Sequence, residues 1–350
     1  MPILLSLIRK EALHIVRDKR TMLVTVIMPV VLLLLFGFAI STEVNDVRLV
    51  AVVDSHTPLT RSLLEKFRSN DYFTFLGTAA PADIEPMLRR GEIDATLMLR
   101  TAQDGSMATR IIVDASNPTL GQAAASYIQG VLADSGAPEP IITRTLYNPQ
   151  MKSAYNFVPG IMGMIFILIC AIMTSVSIVS EKETGTMNLL LVSPVRPRTI
   201  IFGKLIPYFL LSCLILAVML ILSYTVLGLP LSSTVFVVIA ITLLYIVLSL
   251  SLGLLVSTLV DNQISALVVS AVLFMLPVIM LSGMIFPIDN MPQILQWLSC
   301  IIPARWYIEA MRKLMIQQLP FSYIASEAAI LLSITALLLT LAIKNFNNKK

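Results

Sequence analysis

Residues able to do chemistry are few in this chain of 350, and they gather in three places. The run Ser180-Glu181-Lys182-Glu183-Thr184-Gly185-Thr186 sets two acids around a lysine, and Gly203-Lys204 follows further on. Such a run offers charge-assisted contacts, with glycine allowing close backbone approach. The stretch from Thr42 to Ser153 holds Asp54, Asp94, Asp114 and His56, with no cysteine and no nucleophile–base spacing. Acids that follow strands ordinarily cap turns or helices, and that reading is preferred to a ligand or metal role. The third group is Arg305, Glu309, Arg312 and Lys313, in which Glu309 and Lys313 are i,i+4 neighbours able to pair.

Several kinds of chemistry are missing. There is no G-x-x-x-x-G-K-[ST]; Gly203-Lys204 is followed by Leu205 and opens an apolar run, so nothing here is built to hydrolyse ATP. No H-E-x-x-H occurs, and no long apolar segment contains Asp, Glu, Lys, Arg or His. Intramembrane proteolysis and ion-coupled transport both need such groups at membrane depth. Cys170 and Cys213 lie in apolar runs, and with Cys300 they suit neither a zinc site nor a disulfide framework; packing is their expected role. The net charge of +4 is spread beside apolar runs rather than in one patch, which argues against nucleic acid.

The elements that position these residues are mostly apolar helices. Only 13% of residues are charged, about half the roughly 25% of a soluble domain, so lipid is the solvent for much of the chain. Six segments reach the ~20 apolar residues needed to span a bilayer. They are Met22–Ile40, Phe157–Ser180, Leu205–Leu227, Val235–Leu259, Ile264–Phe286 and Ala328–Ile343. Arg9, Lys10, Arg17, Lys19 and Arg20 precede the first; Lys182, Arg196, Arg198 and Lys204 separate the second and third; Lys344, Lys349 and Lys350 follow the sixth. The positive-inside rule makes these flanks, and both termini, cytoplasmic, although Arg305, Arg312 and Lys313 then fall outside. The start of the chain is not read as a cleavable signal, because its apolar stretch is too long and a polar or amphipathic segment precedes it.

Ile3–Arg20 reads as an amphipathic helix in the cytoplasmic headgroup layer. Leu4, Leu5, Ile8, Ala12, Ile15 and Val16 share one arc; Lys10, His14, Arg17 and Asp18 lie on the other side, as part of a plain anchor or of a docking face. Between the first two spans, strand-like runs at Arg48–Val53, Ile93–Leu99, Arg110–Asp114 and Ile141–Leu146 alternate with helix-like runs at Pro58–Ser69, Ile84–Arg90 and Gly121–Ala133. The expected fold is an α-helical polytopic membrane protein of six transmembrane helices with an inserted extracytoplasmic α/β domain. Its parts are an interfacial helix at 1–20, a first span at 21–41, the α/β domain at 42–154, a core of five spans at 155–344 and a cytoplasmic tail at 345–350. Within the core, Glu181–Leu191 is expected as a short helix terminated by Pro194 and Pro197. Residues 287–318 are too apolar for a simple loop, Pro292 and Pro303 fit helix starts, and outer re-entrant or interfacial helices are expected within 287–325. Trp297, Trp306 and Tyr307 suit an aromatic belt at the membrane surface better than a transport role.

The run E-K-E-T-G-T-M-N-L-L-L-V-S-P-V-R-P, followed by G-K-L-I-P-Y, resembles the signature of ABC-2-type permeases, the membrane subunits of a class of ABC exporters. The resemblance spans essentially the whole chain, including Asn148-Pro149, Val158-Pro159-Gly160, Gly283 to Pro287 and Met291-Pro292. Its large outer domain looks like the bacterial drug-export branch of the inner membrane. That resemblance implies a permease dimer, of two copies or of this chain and a paralogue, with cytoplasmic ABC ATPase subunits that carry the ATP and magnesium. This chain itself would bind no cofactor, and the branch often works with a periplasmic adaptor protein. Coupling to the ATPase would fall to Glu181, Lys182, Glu183, Gly185, Thr186, Leu189, Pro194, Gly203 and Lys204. Pro287, Pro292, Trp297, Pro303 and Trp306 would lie at an outer gate or interface.

The expected function is export of an amphipathic or hydrophobic compound, since purely apolar span faces suit such cargo better than a hydrated sugar or ion. Export of lipid, polysaccharide or ion by the same architecture is an alternative. So is a membrane-anchored sensor or assembly protein acting through the outer domain. Purified alone, the chain should hydrolyse no ATP in a phosphate-release assay; turnover that survives removal of contaminants would refute the missing phosphate loop.

Overall fold

The computed structural model describes residues 2–36, 47–54, 57–101, 107–113, 118–133, 153–187, 197–231, 234–286, 288 and 291–348. The chain divides into two compact units, residues 1–40 with 153–350, and residues 41–152.

The first unit is helical. Helix α1 (Pro2–Arg17) leads with a one-residue break at Asp18 into α2 (Lys19–Leu34). The Asp18 carbonyl accepts the first hydrogen bond of α2, from the amide of Met22 at 2.9 Å. Helices α6 (Ser153–Glu183), α7 (Pro197–Thr225), α8 (Val235–Leu259) and α9 (Gln263–Leu281) are long and apolar. Two short helices follow, α10 (Gln293–Cys300) and α11 (Pro303–Met311), then a π-turn at Arg312–Ile316, a 3₁₀ turn at Phe321–Ile324 and α12 (Ala325–Asn348).

Among the described residues, five stretches are long and apolar enough to cross a membrane: Phe157–Glu183, Thr199–Thr225, Val235–Leu259, Gln263–Leu281 and Phe321–Ala342. The first expected span is described as the shorter apolar helix Met22–Leu34; residues 37–40 lie outside the described residues. α6 and α8 pack with little between them. A Cβ added at Gly253 would meet the Ala171 carbonyl oxygen at 2.5 Å, so only glycine admits this backbone approach. Lower on the same interface, Tyr245 of α8 donates to the Gly163 carbonyl of α6 at 3.0 Å.

The second unit holds a four-stranded sheet of order β2-β1-β3-β4. The strands are β1 (Val47–Val53), β2 (Phe73–Thr78), β3 (Ala95–Thr101) and β4 (Met107–Val113). β1 pairs parallel with β2 and β3, and β3 pairs antiparallel with β4. Alternation splits β1 between two cores. Val47 and Leu49 pack with Leu63 and Phe67 of α3 (Pro58–Arg68) and Ala124 and Ile128 of α5 (Pro118–Ala133). Val50 and Val52 pack with Ile84 of α4 (Pro81–Arg89). The chain steps one way across the sheet through α3 and back through α4, so right-handed crossovers put these helices on opposite faces.

Strand β2 is absent from the sequence reading. It is short, lies at the edge, and is interrupted at Gly77, whose φ of +117° accompanies the register shift between Leu49 and Val50. α4 and α5 begin at Pro81 and Pro118, each a turn earlier than expected, because proline suits the first helical turn. The expected strand Ile141–Leu146, together with His56, Asp114 and Asn148-Pro149, lies outside the described residues.

Asp94 pairs with Arg48 rather than capping a turn. Its Oδ1 lies 2.7 Å from Arg48 Nη2, and its Oδ2 accepts from Arg48 Nε and the Arg48 amide, each at 2.9 Å. Burial by itself would raise the Asp94 pKa, but the Arg48 hydrogen bonds and charge hold it below the ordinary 3.8. A depressed carboxylate contributes stability that is complete above that ordinary value and is lost as pH falls through the lower native one. Asp94→Asn in the full chain should therefore cost about 1–2 kcal/mol at neutral pH, discounted for the exposed Arg48 side chain. Hydrogen exchange of β1 and β3 amides checks this: wild type should lose protection below about pH 3.8, and the variant should be less protected already at pH 7.

Candidate functional site

The end of α6 is the meeting point of the helical unit. Ser177 and Glu181 stand four residues apart on α6, as do Lys204 and Tyr208 on α7, so each pair shares a helix face. α1 lies against both helices through Lys10 and Glu11. Lys204 and Glu11 are almost wholly enclosed, at 6% and 5% exposure. Glu11 Oε1 accepts from Ser177 Oγ at 2.5 Å and from Tyr208 Oη at 3.1 Å, with Lys204 Nζ 3.7 Å away. Lys204 Nζ donates to Ser177 Oγ at 3.3 Å and sits 3.0 Å from Glu181 Oε2. That last contact is an ion pair outside hydrogen-bond geometry, which leaves Oε2 without a hydrogen bond. Lys10 Nζ binds Glu181 Oε1 at 2.7 Å. Partial burial works against the Lys10 charge, but the Glu181 hydrogen bond and charge outweigh it and raise the pKa.

Lys204, Glu11 and Glu181 thus form an enclosed cluster joining three helices, with Lys10 closing it from its exposed rim. The next two residues extend it. Lys182 Nζ donates to the Ser257 carbonyl and, at 3.3 Å, to the Val260 carbonyl, placing a cation on the C-terminus of α8. Glu183 Oε2 accepts from the amide of Gln263 at 3.2 Å and from its Nε2 at 3.0 Å, placing an anion on the N-terminus of α9. Consecutive side chains at 181, 182 and 183 therefore bind four different helices.

Beyond them the chain turns outward. Gly185 adopts φ +74°, and Thr184, Gly185 and Thr186 are exposed. α6 runs unbroken to Glu183, so Glu181–Glu183 of the expected helix form the last turn of a span; helical backbone resumes at Thr186–Met187, and the remainder to Leu191 lies outside the described residues. Pro197 opens α7 instead of ending a helix, since proline at the first helical position needs no amide partner. Leu189 and Pro194 lie outside the described residues. Gly203 lets α1 approach α7: a Cβ there would come 2.9 Å from Leu7 Cβ.

The inner face of α1 also differs from expectation. Leu5 and Val16 are exposed, whereas Glu11 is buried beside Ile15. His14, Arg17 and Lys10 do lie on exposed positions, and Asp18 occupies the break before α2.

At the other end of the bundle, Met284 and Ile308 pack against Gly160 and Gly163, near the start of α6. Pro292 caps α10 and Pro303 opens α11, as expected; Pro287 lies outside the described residues. Trp297 is exposed and Trp306 partly so, but Tyr307 is fully buried. Tyr307 stacks on Tyr245 with ring centres 4.1 Å apart and reaches Thr242 Oγ1 at 3.1 Å, which removes it from any aromatic belt. The expected Glu309–Lys313 pair is present at 3.1 Å, and Lys313 also binds Glu327 at 2.5 Å.

Between α2, α6 and α9 lies an open apolar cleft of about 750 Å³. Met28, Met164, Met173, Met275 and Met284 line it, with Thr25 the one hydroxyl among the described lining residues.

The sequence has matches among known proteins. The sequence model of the ABC-2 family transporter proteins matches residues 19–344. The chain belongs to the ABC-2 transporter family. It is 28% identical over 324 residues to the probable multidrug ABC transporter permease YbhS of Escherichia coli strain K12, covering 87% of this chain and 86% of that protein. It is 27% identical over 350 residues to the probable multidrug ABC transporter permease YbhR of the same strain, covering 95% and 94%. The inner membrane transport permease YhhJ, also of that strain, is 24% identical over 216 residues, covering 59% and 56%. This ABC-2 chain is thus a multi-pass membrane protein.

Of the residues singled out by sequence, the structure brings Glu181, Lys204 and Lys10 together. Glu11, Ser177 and Tyr208 carry no mark in the sequence, because the i,i+4 spacing on α6 and α7 becomes a signal only once α1 is known to lie across them. Lys204→Met should destabilise the full chain by on the order of 3–5 kcal/mol, since it leaves enclosed Glu11 without its lysine and Glu181 with Lys10 alone. Lys204→Met with Glu181→Leu should lose less than Lys204→Met alone. Thermal unfolding in detergent tests the order; a double variant worse than the single would contradict the pairing.

Proposed function

We propose that this chain is the permease subunit of an ABC exporter that moves an amphipathic or hydrophobic compound out of the cytoplasm or inner leaflet. In this reading it has six spans, both termini lie in the cytoplasm of a bacterial inner membrane, and the α/β unit is extracytoplasmic. Two permeases pair, and separate ATPase subunits bind and hydrolyse MgATP. The kinship with permeases named as multidrug transporters supports the cargo class, as does a methionine-lined cleft with one hydroxyl and no charge. Flexible, polarisable methionines re-pack around ligands of different shapes.

The observation that carries the mechanism is the junction at Glu181. The exposed Thr184–Thr186 turn and the exposed side of α1 are the surfaces open to an ATPase, and both sit directly on that junction. A push there is carried by Lys204 and Glu11 into α7 and α1, by Lys182 into α8 and by Glu183 into α9. The spans then tilt as packed bodies and change the width of the α2/α6/α9 cleft. Force delivered in this way needs no titratable group at membrane depth. The second permease copy faces the open side of the cleft, so that cargo passes between protomers. A periplasmic adaptor protein docking on the α/β unit would extend the path.

Thr184→Arg with Thr186→Arg tests this in the complex purified from native membranes with its ATPase. Insertion and thermal stability should be unchanged, while permease-stimulated ATP hydrolysis should fall at least about tenfold, as expected for a bulky charge in the middle of an interface. Normal stimulation and transport would remove the turn from the coupling surface.

A further inference from the structure

Helix α10 is built inside out. It buries Ser299 and half-buries Gln296, both polar, while Ile294, Trp297 and Leu298 point outward and Ile301 follows on the same side. Trp297 is 72% exposed and Ile301 74%. Positions 294, 297, 298 and 301 recur at helical spacing, so the four form one continuous ridge. An apolar ridge of that kind is unfavourable in water and must be covered.

The inward polar side meets Arg305 of α11. Its Nη1 donates to the Gln296 carbonyl at 3.0 Å and to Ser299 Oγ at 2.5 Å, and its guanidinium lies 4.9 Å from the centre of the Trp306 ring. Those partners are neutral. Neighbouring Lys313 has two carboxylates, but Arg305 has none among the described residues, and its Nε is enclosed without an acceptor. Among the described residues the site is therefore a cation without a carboxylate, stacked on an indole, at the foot of an apolar ridge.

One molecule answers both demands. A phospholipid carries a phosphate for the guanidinium and acyl chains for the ridge, and indole and guanidinium side chains are at home at the headgroup level. A second copy of this chain would cover the ridge, but α10 contains no acid, and ridge-on-ridge docking would bring two Arg305 side chains together. We infer that Arg305, Trp306 and the α10 ridge form a binding site for the phosphate of a membrane phospholipid, at the end of the bundle opposite Glu181.

The chain has only two tryptophans, Trp297 and Trp306, so its indole fluorescence reports on this site alone. The full chain in detergent micelles is titrated with chain-brominated phosphatidylglycerol, with brominated diacylglycerol of the same chains, and with inorganic phosphate. The phospholipid should half-quench the emission at roughly tenfold lower fraction than diacylglycerol, about 1.4 kcal/mol for the phosphate contact. Arg305→Gln should bring the two curves together, Arg305→Lys should separate them only partly, and inorganic phosphate should neither quench nor displace. Trp306→Phe, which keeps Trp297 as the reporter, should retain quenching by both lipids. The wild-type comparison decides the matter even where a variant fails to fold. Equal curves for the two lipids in the wild type would overturn the site, as would no quenching by either, the result of a second copy covering the ridge. Displacement of the brominated lipid by inorganic phosphate would make the ligand a free anion and overturn it equally.

Discussion

A lysine enclosed at the edge of an apolar bundle is tolerated only if carboxylates come with it. Lys204 is that lysine, and its carboxylates arrive on two other helices, Glu181 from α6 and Glu11 from α1. Removing an ion from water costs several kcal/mol, and only close partners offset that cost. Separating any one of the three helices would strand a charge in a place with little water. The ionic cluster therefore fixes α1, α6 and α7 to one another more firmly than apolar contact would, since apolar side chains slide against lipid at little cost.

The two ends of the bundle are held by different chemistry. At the Glu181 end, ions and helix termini make the bonds, reaching α8 through Lys182 and α9 through Glu183. At the other end, aromatic stacking and glycines act beside the Glu309–Lys313–Glu327 ion pairs, with Tyr245 on Tyr307 and Met284 against Gly160. Charge thus lies at the two ends. The middle, with the methionine-lined cleft, is left apolar and deformable. Such a division suits a machine that receives force at one end and lets cargo choose its own fit in the middle.

The long helices are largely legible because a charge-free apolar run of about twenty residues is at home in a bilayer and costly in water. The run 180–186 is legible as important, but not what it touches. Three successive side chains that bind four helices cannot be inferred from spacing along one. Glu11 sits unmarked within an amphipathic pattern whose apolar arc looks sufficient by itself, and the buried side of α1 turns about that glutamate. In the α/β unit, β1 and β3 carry β-branched and aliphatic runs that identify strands, whereas β2 is an edge strand with a glycine in an unusual conformation. Tyr307 looks like a surface aromatic because Trp297 and Trp306 precede it in sequence. Its burial follows from the tight approach of α11 to Gly163, which is tertiary information.

The central claim is that α1, α6 and α7 move as one body at the Glu181 junction while the cleft changes width. Spin labels at the exposed positions Leu13 of α1 and Phe202 of α7, and a second pair at Leu23 of α2 and Leu276 of α9, measure this in the assembled complex with and without a trapped nucleotide. The account predicts that the Leu13–Phe202 distance stays within about 2 Å while the Leu23–Leu276 distance shifts by more than that. A separation of α1 from α7 with an unchanged cleft would contradict it.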